Sequence, residues 1–193
     1  MVINNMHFLV TIILVFMVSF CAKERVPNFS SDRLEGVSLD GRQVRLADIR
    51  ADRLALNVYS PTCVPCVKEI PTLNFLYKEF MTRGRISFYL VVDPYLVVEN
   101  SEGKDEALVI AAARKIMQDE VIKRNINLPV LIMKKPFAVG EKQLVSGTPE
   151  TLLFHTEPLV LYYNFIGSIS EETVPEKIAR DTKVGFFKKM LGY

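Results

Sequence analysis

The chain has 193 residues, a formal net charge of +2 and a hydrophobic fraction of 49 %. That length supports one domain with a sound core plus a leader, and the near-neutral charge argues against a nucleic-acid binder. Three cysteines, two histidines and no tryptophan narrow the chemistry further.

Residues 1–22 carry no charged side chain, and Phe8 to Phe20 is almost continuously apolar. Such a run is shorter than the roughly 20 residues of a bilayer-spanning helix and matches the apolar region of a secretory signal. Only the α-amino group and His7 stand where a signal carries basic residues. Cys21 closes the run, in the manner of a bacterial lipoprotein signal, although Phe20 stands where a small residue is usual. Three readings follow: a lipoprotein lipidated at Cys21, a cleaved soluble protein, or a retained anchor. Export is preferred because it accounts for Cys21 and leaves Cys63 and Cys66 as an isolated pair in an oxidising compartment. The expected divisions are a leader over 1–21, a polar tether over 22–34 and a folded domain over 35–193.

Within that domain, Val37–Leu39 and Gln43–Leu46 alternate around Asp40-Gly41 and predict a β-hairpin. Ala47–Arg50 reads as a helical turn and Leu54–Tyr59 as a buried strand. Val67–Phe80 has the spacing of an amphipathic helix. Ile86–Val92 is a second buried strand, and Tyr95–Gly103 a loop. Asp105–Arg124 predicts a helix with Ala107, Leu108, Ala111, Ile116 and Val121 as its apolar positions. Leu128–Met133 is a third strand, and Lys134–Ser146 is irregular or a short helix. Glu150–His155 and Leu159–Ile166 predict a hairpin across Thr156-Glu157-Pro158. Thr173–Leu191 reads as a closing helix with Ile178, Phe186, Phe187 and Met190 inward, and Lys188-Lys189 as its solvated side. This order predicts an α/β fold, a central mixed sheet flanked by helices and partly parallel at its core.

The chemistry concentrates in Cys63-Val64-Pro65-Cys66. Two thiols two residues apart at the start of a helix can open and close a disulfide with little backbone movement. The first lies at the positive end of the helix dipole, which favours its thiolate. Strand, tight turn, Cys-x-x-Cys and helix together indicate redox chemistry. The alternative is a structural disulfide. Pro65 removes one amide N–H near the sulfurs and stiffens the turn. Glu69 is either a buried carboxylate that exchanges protons with Cys66 or an exposed one beside Lys68.

These features resemble the thioredoxin superfamily, and more narrowly the membrane-tethered thiol-disulfide oxidoreductases of the TlpA/ResA type. The match rests on Cys-Val-Pro-Cys after a buried strand, Glu69 three and Pro71 five residues past Cys66, and Gly147-Thr148-Pro149 before the last strand pair. The inserted helix 105–124 and the N-terminal hairpin complete it. Thr62 stands where the family carries tryptophan. The resemblance implies a thioredoxin-like fold with an N-terminal hairpin and an inserted helix. It implies that Cys63 attacks, Cys66 resolves, Glu69 assists proton transfer, and that Thr148 and a cis Pro149, with Pro65, meet the substrate. It further implies protein thiol or disulfide substrates, a membrane thiol electron donor, attachment through the N-terminus on the extracytoplasmic side, no cofactor and no metal. Reduction is the family's usual direction, with cytochrome c maturation as one use.

Rival readings are a disulfide-donating oxidase or isomerase, a copper carrier, or a non-enzymatic surface lipoprotein on the same fold. Copper binding would recruit His155, which lies six residues past Pro149, roughly 20 Å along an extended strand. A peroxide-reducing site would use Ser60 three residues before Cys63, but no proline lies four residues before it.

Overall fold

Seven strands form one sheet in the order β2-β1-β5-β4-β3-β6-β7 in the computed structural model, which describes residues 31–193. The strands are β1 (Glu35–Ser38), β2 (Gln43–Arg45), β3 (Arg53–Val58), β4 (Ile86–Val92), β5 (Val130–Met133), β6 (Glu150–Thr156) and β7 (Leu159–Ile166). The helices are α1 (Val64–Arg83), α2 (Pro94–Val97), α3 (Glu106–Arg124), α4 (Pro175–Ile178) and α5 (Thr182–Met190). β3, β4 and β5 are parallel neighbours. β6 and β7 extend one side antiparallel, and β1 and β2 the other. The mixed α/β sheet expected from the element order is therefore present, with its parallel strands at the centre, where burial on both faces suits continuous apolar runs.

Alternation along β3 divides the core. Ala55 and, just past the strand, Tyr59 join one cluster with Leu73, Leu76, Phe80, Phe88, Met117 and Phe187 beneath the helices. Leu54, Leu56 and Val58 join the other with Leu34, Leu46, Phe137 and Phe154. The second cluster is closed by short 3-10 turns at Ser31–Arg33 and Leu46–Asp48 and by the 134–146 loop. Leu34 is fully buried, and the Ser31 hydroxyl donates to the Leu159 carbonyl. Packing therefore begins inside the segment assigned to the tether, because Leu34 completes the apolar cover that the hairpin leaves open.

Helix α1 starts earlier than its apolar spacing predicts. Pro65 sits in the first turn, where a missing N–H costs nothing, and Gly84 ends the helix in the left-handed conformation at φ 66°. Pro71 lies inside it without terminating it. Asp105 caps α3 through Ala107 and Leu108 N–H groups.

Three expectations are corrected. The buried face of α3 is Val109, Ile110, Ala113, Met117 and Glu120, whereas Leu108 is 68 % exposed. The helix carries apolar residues on more than one face, and long-range bonds select among them: Glu120 accepts from Tyr59, and Arg114 and Gln118 donate to the Leu39 carbonyl. The single C-terminal helix is two. Asp181 caps α5 through the Lys183 N–H and accepts from Ser170, which breaks the run. The inward residues are Ile178 on α4 and Val184 and Phe187 on α5, while Phe186 is exposed and Lys188 pairs with Glu79 at 2.9 Å. Finally, the 95–103 loop begins with α2, capped by the buried Asp93, whose other oxygen accepts from Val139 N–H.

Candidate active site

Cys63 and Cys66 meet at the carboxyl end of β3, where the chain turns into α1. The two sulfurs are joined in a disulfide with Cα atoms 5.3 Å apart. Cys63 occupies the N-cap of α1, and its Sγ accepts the Cys66 N–H at 3.2 Å. It is half-buried, whereas Cys66 is wholly buried. The first sulfur is thus open to a partner and faces the positive helix end; the second is reached only through it. When reduced, an N–H donor and the dipole both favour the Cys63 thiolate.

Glu69 lies one turn below Cys66 and is fully buried. Of the two readings open in the sequence, burial excludes the exposed carboxylate. Its Oε1 accepts the Ile169 N–H, and its Oε2 accepts from Asn57 Nδ2 at 3.3 Å. Burial pushes its carboxyl up to about 7, against the two hydrogen bonds that favour the charged form.

That shift has a consequence for stability. The folded value lies above the ordinary carboxylate value of 4.5, so the fold prefers the protonated form. The contribution of Glu69 to stability is fully present below about pH 4.5, is lost as pH rises through about 7 and is flat beyond. The full change is about 3 kcal/mol. Glu69→Gln, which cannot ionise, is expected to match the parent near pH 4 and exceed it by up to about that amount at pH 8. Urea unfolding at both pH values checks this; equal stability of the two proteins at pH 8 would contradict it.

The Thr148–Pro149 peptide is cis, as are Lys135–Pro136 and Glu157–Pro158. The register Val58↔Glu150 places Pro149 at the cysteine end of the sheet. Thr148 is half-buried and Pro149 buried. Pro65 is exposed beside the disulfide. His155 faces Arg53 at the opposite end of β3 and stacks on Tyr162 at 4.5 Å, so the structure does not bring it to the cysteines. No group of three or more metal-binding side chains occurs among the described residues. Ser60 is buried, with its Oγ 3.0 Å from Thr62 Oγ1.

Three contributors escape sequence reading. Glu150 is buried and accepts from the Ser146 and Gly147 N–H groups and from Asn164, which fixes the loop before Pro149. Tyr59 donates to Glu120 at 2.8 Å, and Arg124 to the same oxygen at 3.1 Å, fastening α3 to the segment that leads from β3 to the cysteines. Asn57 is buried beside Glu69. Each is a polar residue in or at the end of an apolar strand, a weak signal by itself.

A family model described as AhpC/TSA matches residues 22–130, more than half of the chain. The chain belongs to the AhpC/TSA family. Among curated relatives of this AhpC/TSA chain, the thiol-disulfide oxidoreductase ResA of Geobacillus thermodenitrificans is 39 % identical over 62 residues, covering 32 % of this chain and 36 % of that protein. ResA of Bacillus anthracis is 33 % identical over 61 residues, 32 % of each. The chain thus spans about a third of the length of the curated relatives it matches. A solved protein of Bacteroides vulgatus superposes with TM-score 0.54 at 21 % identity, covering 87 % of this chain and 92 % of that one. A thioredoxin-family thiol:disulfide interchange protein of Chlorobium tepidum gives 0.52 at 17 %, covering 79 % and 90 %. The expected thioredoxin-like fold is thereby established for this family member.

Proposed function

We propose that the protein is a thiol-disulfide oxidoreductase acting on protein disulfides. The observation that carries this reading is the pairing of a half-buried N-cap sulfur, Cys63, with a buried partner, Cys66, above a buried carboxyl. In the reducing direction, the Cys63 thiolate attacks one sulfur of a client disulfide. A mixed disulfide forms, and the first client thiolate leaves. Cys66 gives its proton to Glu69 and attacks the Cys63 sulfur. The second client thiolate departs and takes up the proton. The client gains two electrons, and the protein closes its disulfide. Thr148, half-buried beside the buried Pro149 at the same sheet end, offers its backbone to an extended client segment.

Reduction is the preferred direction, with recharging by a membrane thiol donor and apocytochrome c as one class of client. Names of the ResA relatives support the oxidoreductase assignment, and the family resemblance supports the direction. The extracytoplasmic, tethered placement rests on Phe8–Phe20 and Cys21, which lie outside the described residues. No helix among the described residues is long and apolar enough to cross a membrane.

The test is stoichiometric. Full-length protein, reduced and freed of reductant, is mixed with a disulfide-bonded peptide. One peptide dithiol should appear for each Cys63–Cys66 disulfide formed. Intact peptide beside a persistently reduced protein would sink the reading.

A further inference from the structure

Asn57 sits in the middle of the central strand β3, with no exposed surface. The neighbouring inward positions on its face are apolar: Ala55 and Tyr59. Its Nδ2 donates to Glu69 Oε2 at 3.3 Å and to Thr151 Oγ1 at 3.0 Å. Among the described residues its Oδ1 has no hydrogen-bond partner. A buried, unpaired amide oxygen costs free energy that an aliphatic residue at the same point would not. The compensation lies at the other end of the amide, which addresses the carboxyl beneath Cys66.

We propose that Asn57 is a positioning residue that holds the Glu69 carboxyl and turns its amide over when Glu69 takes up a proton. The two Glu69 oxygens are not equivalent. Oε1 is engaged by the Ile169 N–H, so the proton resides on Oε2, the oxygen facing Asn57. An ionised Oε2 needs a donor, which Nδ2 supplies. A protonated Oε2 is itself a donor and needs an acceptor, which Oδ1 supplies after a half-turn of the carboxamide. Thr151 serves either orientation, because a hydroxyl both donates and accepts. Each orientation leaves one amide end unpaired, so the cost of turning is small and the proton on Glu69 decides. Asn57 thus keeps the site paired in both states, as a carboxyl that loads and unloads a proton in each cycle requires.

The charged groups around Glu69 leave this role to Asn57. Glu171, in the segment after β7, opposes ionisation, and Lys183 of α5 favours it. Lys68, on the same helix, is paired with Glu171 at 3.5 Å and points outward. Asp181 is engaged by Ser170 and the Lys183 N–H. From β6 comes only the uncharged Thr151. Among the described residues, no charged side chain is bonded to either Glu69 oxygen.

This inference rests on the reading of Glu69 as proton acceptor for Cys66. It is tested by following the carboxyl carbon of Glu69 by NMR across pH in the full-length protein, with Glu69→Gln identifying the resonance. Asn57→Leu should raise the titration midpoint by about one pH unit, because both protonation states lose a partner and the bond to the charged form is the stronger of the two. Asn57→Asp, which is isosteric, should raise it further and add a second titration, since two facing carboxyls share a proton. Thr151→Val, which keeps the Asn57–Glu69 bond, should move it less than either. A midpoint unmoved in both Asn57 variants, with the disulfide intact, would overturn the proposal; a purely structural residue would lower the melting temperature and leave the titration in place. The pH profile of disulfide exchange in Glu69→Gln separates the two ideas. If it matches the parent's, proton transfer by Glu69 fails, and the carboxyl titration alone judges Asn57.

Discussion

Cys63→Ser is expected to lower disulfide exchange by on the order of 10⁴-fold or more, to the level of the uncatalysed reaction. A serine hydroxyl at the same N-cap still accepts the Cys66 N–H, so the fold and the helix start survive. It does not ionise near neutral pH, and the one other thiol among the described residues, Cys66, is fully buried. Cys66→Ser has a different phenotype. Attack by Cys63 proceeds, resolution does not, and the mixed disulfide accumulates to one client per chain. Gel shift under non-reducing conditions distinguishes the two variants. Equal loss in both, with no trapped adduct, would mean that Cys63 is not the attacking sulfur. A structural disulfide predicts a third pattern, in which both variants lose stability alike and exchange is absent from the parent too.

The second large effect lies at the far end of the same helix. Phe80 is buried in the last turns of α1, with ring centroids 5.8 Å from Phe88 on β4, 6.4 Å from Phe187 on α5 and 5.3 Å from Tyr193. It joins three elements in the helix-covered half of the core. Phe80→Ala removes the ring and leaves a cavity that these partners cannot fill without moving apart. The expected cost is about 4 kcal/mol, a large fraction of the 5–15 kcal/mol available to a typical domain. The melting temperature should fall by roughly 10 °C. Phe80→Leu should lose less than half as much. Urea unfolding measures both, and a shift of the midpoint at constant slope identifies lost stability rather than a changed unfolded state. A cost under about 1 kcal/mol would show that α1 is not anchored through this ring.

Much of this organisation is legible in residue order. β4 and β7 coincide with their predicted bounds, Ile86–Val92 and Leu159–Ile166, because each is an apolar, β-branched or aromatic run between clear breaks. The cysteine pair and its helix are equally plain, since spacing, dipole and preceding strand all point one way. What stays hidden depends on partners distant in sequence. The buried face of α3 is ambiguous while Ala, Leu, Ile and Val occur around the helix. It is settled by Tyr59, 61 residues from Glu120. The break before α5 passes through Ala179-Arg180-Asp181, all compatible with a helix, and appears only when Ser170 and Asp181 meet. Glu69 reads equally well as exposed or buried until Ile169, 100 residues later, turns its N–H toward it. Glu150 looks like an ordinary strand carboxylate, yet it organises the loop that presents Pro149.

The central claim is that Cys63 and Cys66 form a reversible two-electron couple. It is tested most directly by equilibrating the full-length protein with graded dithiothreitol or glutathione buffers and reading the fraction of disulfide. The account predicts a single reversible transition near thioredoxin's potential of about −270 mV. A value near about −120 mV would keep the couple and reverse the direction, making the protein a disulfide donor. A disulfide that opens only when the protein unfolds, with no reversible couple, would contradict the account.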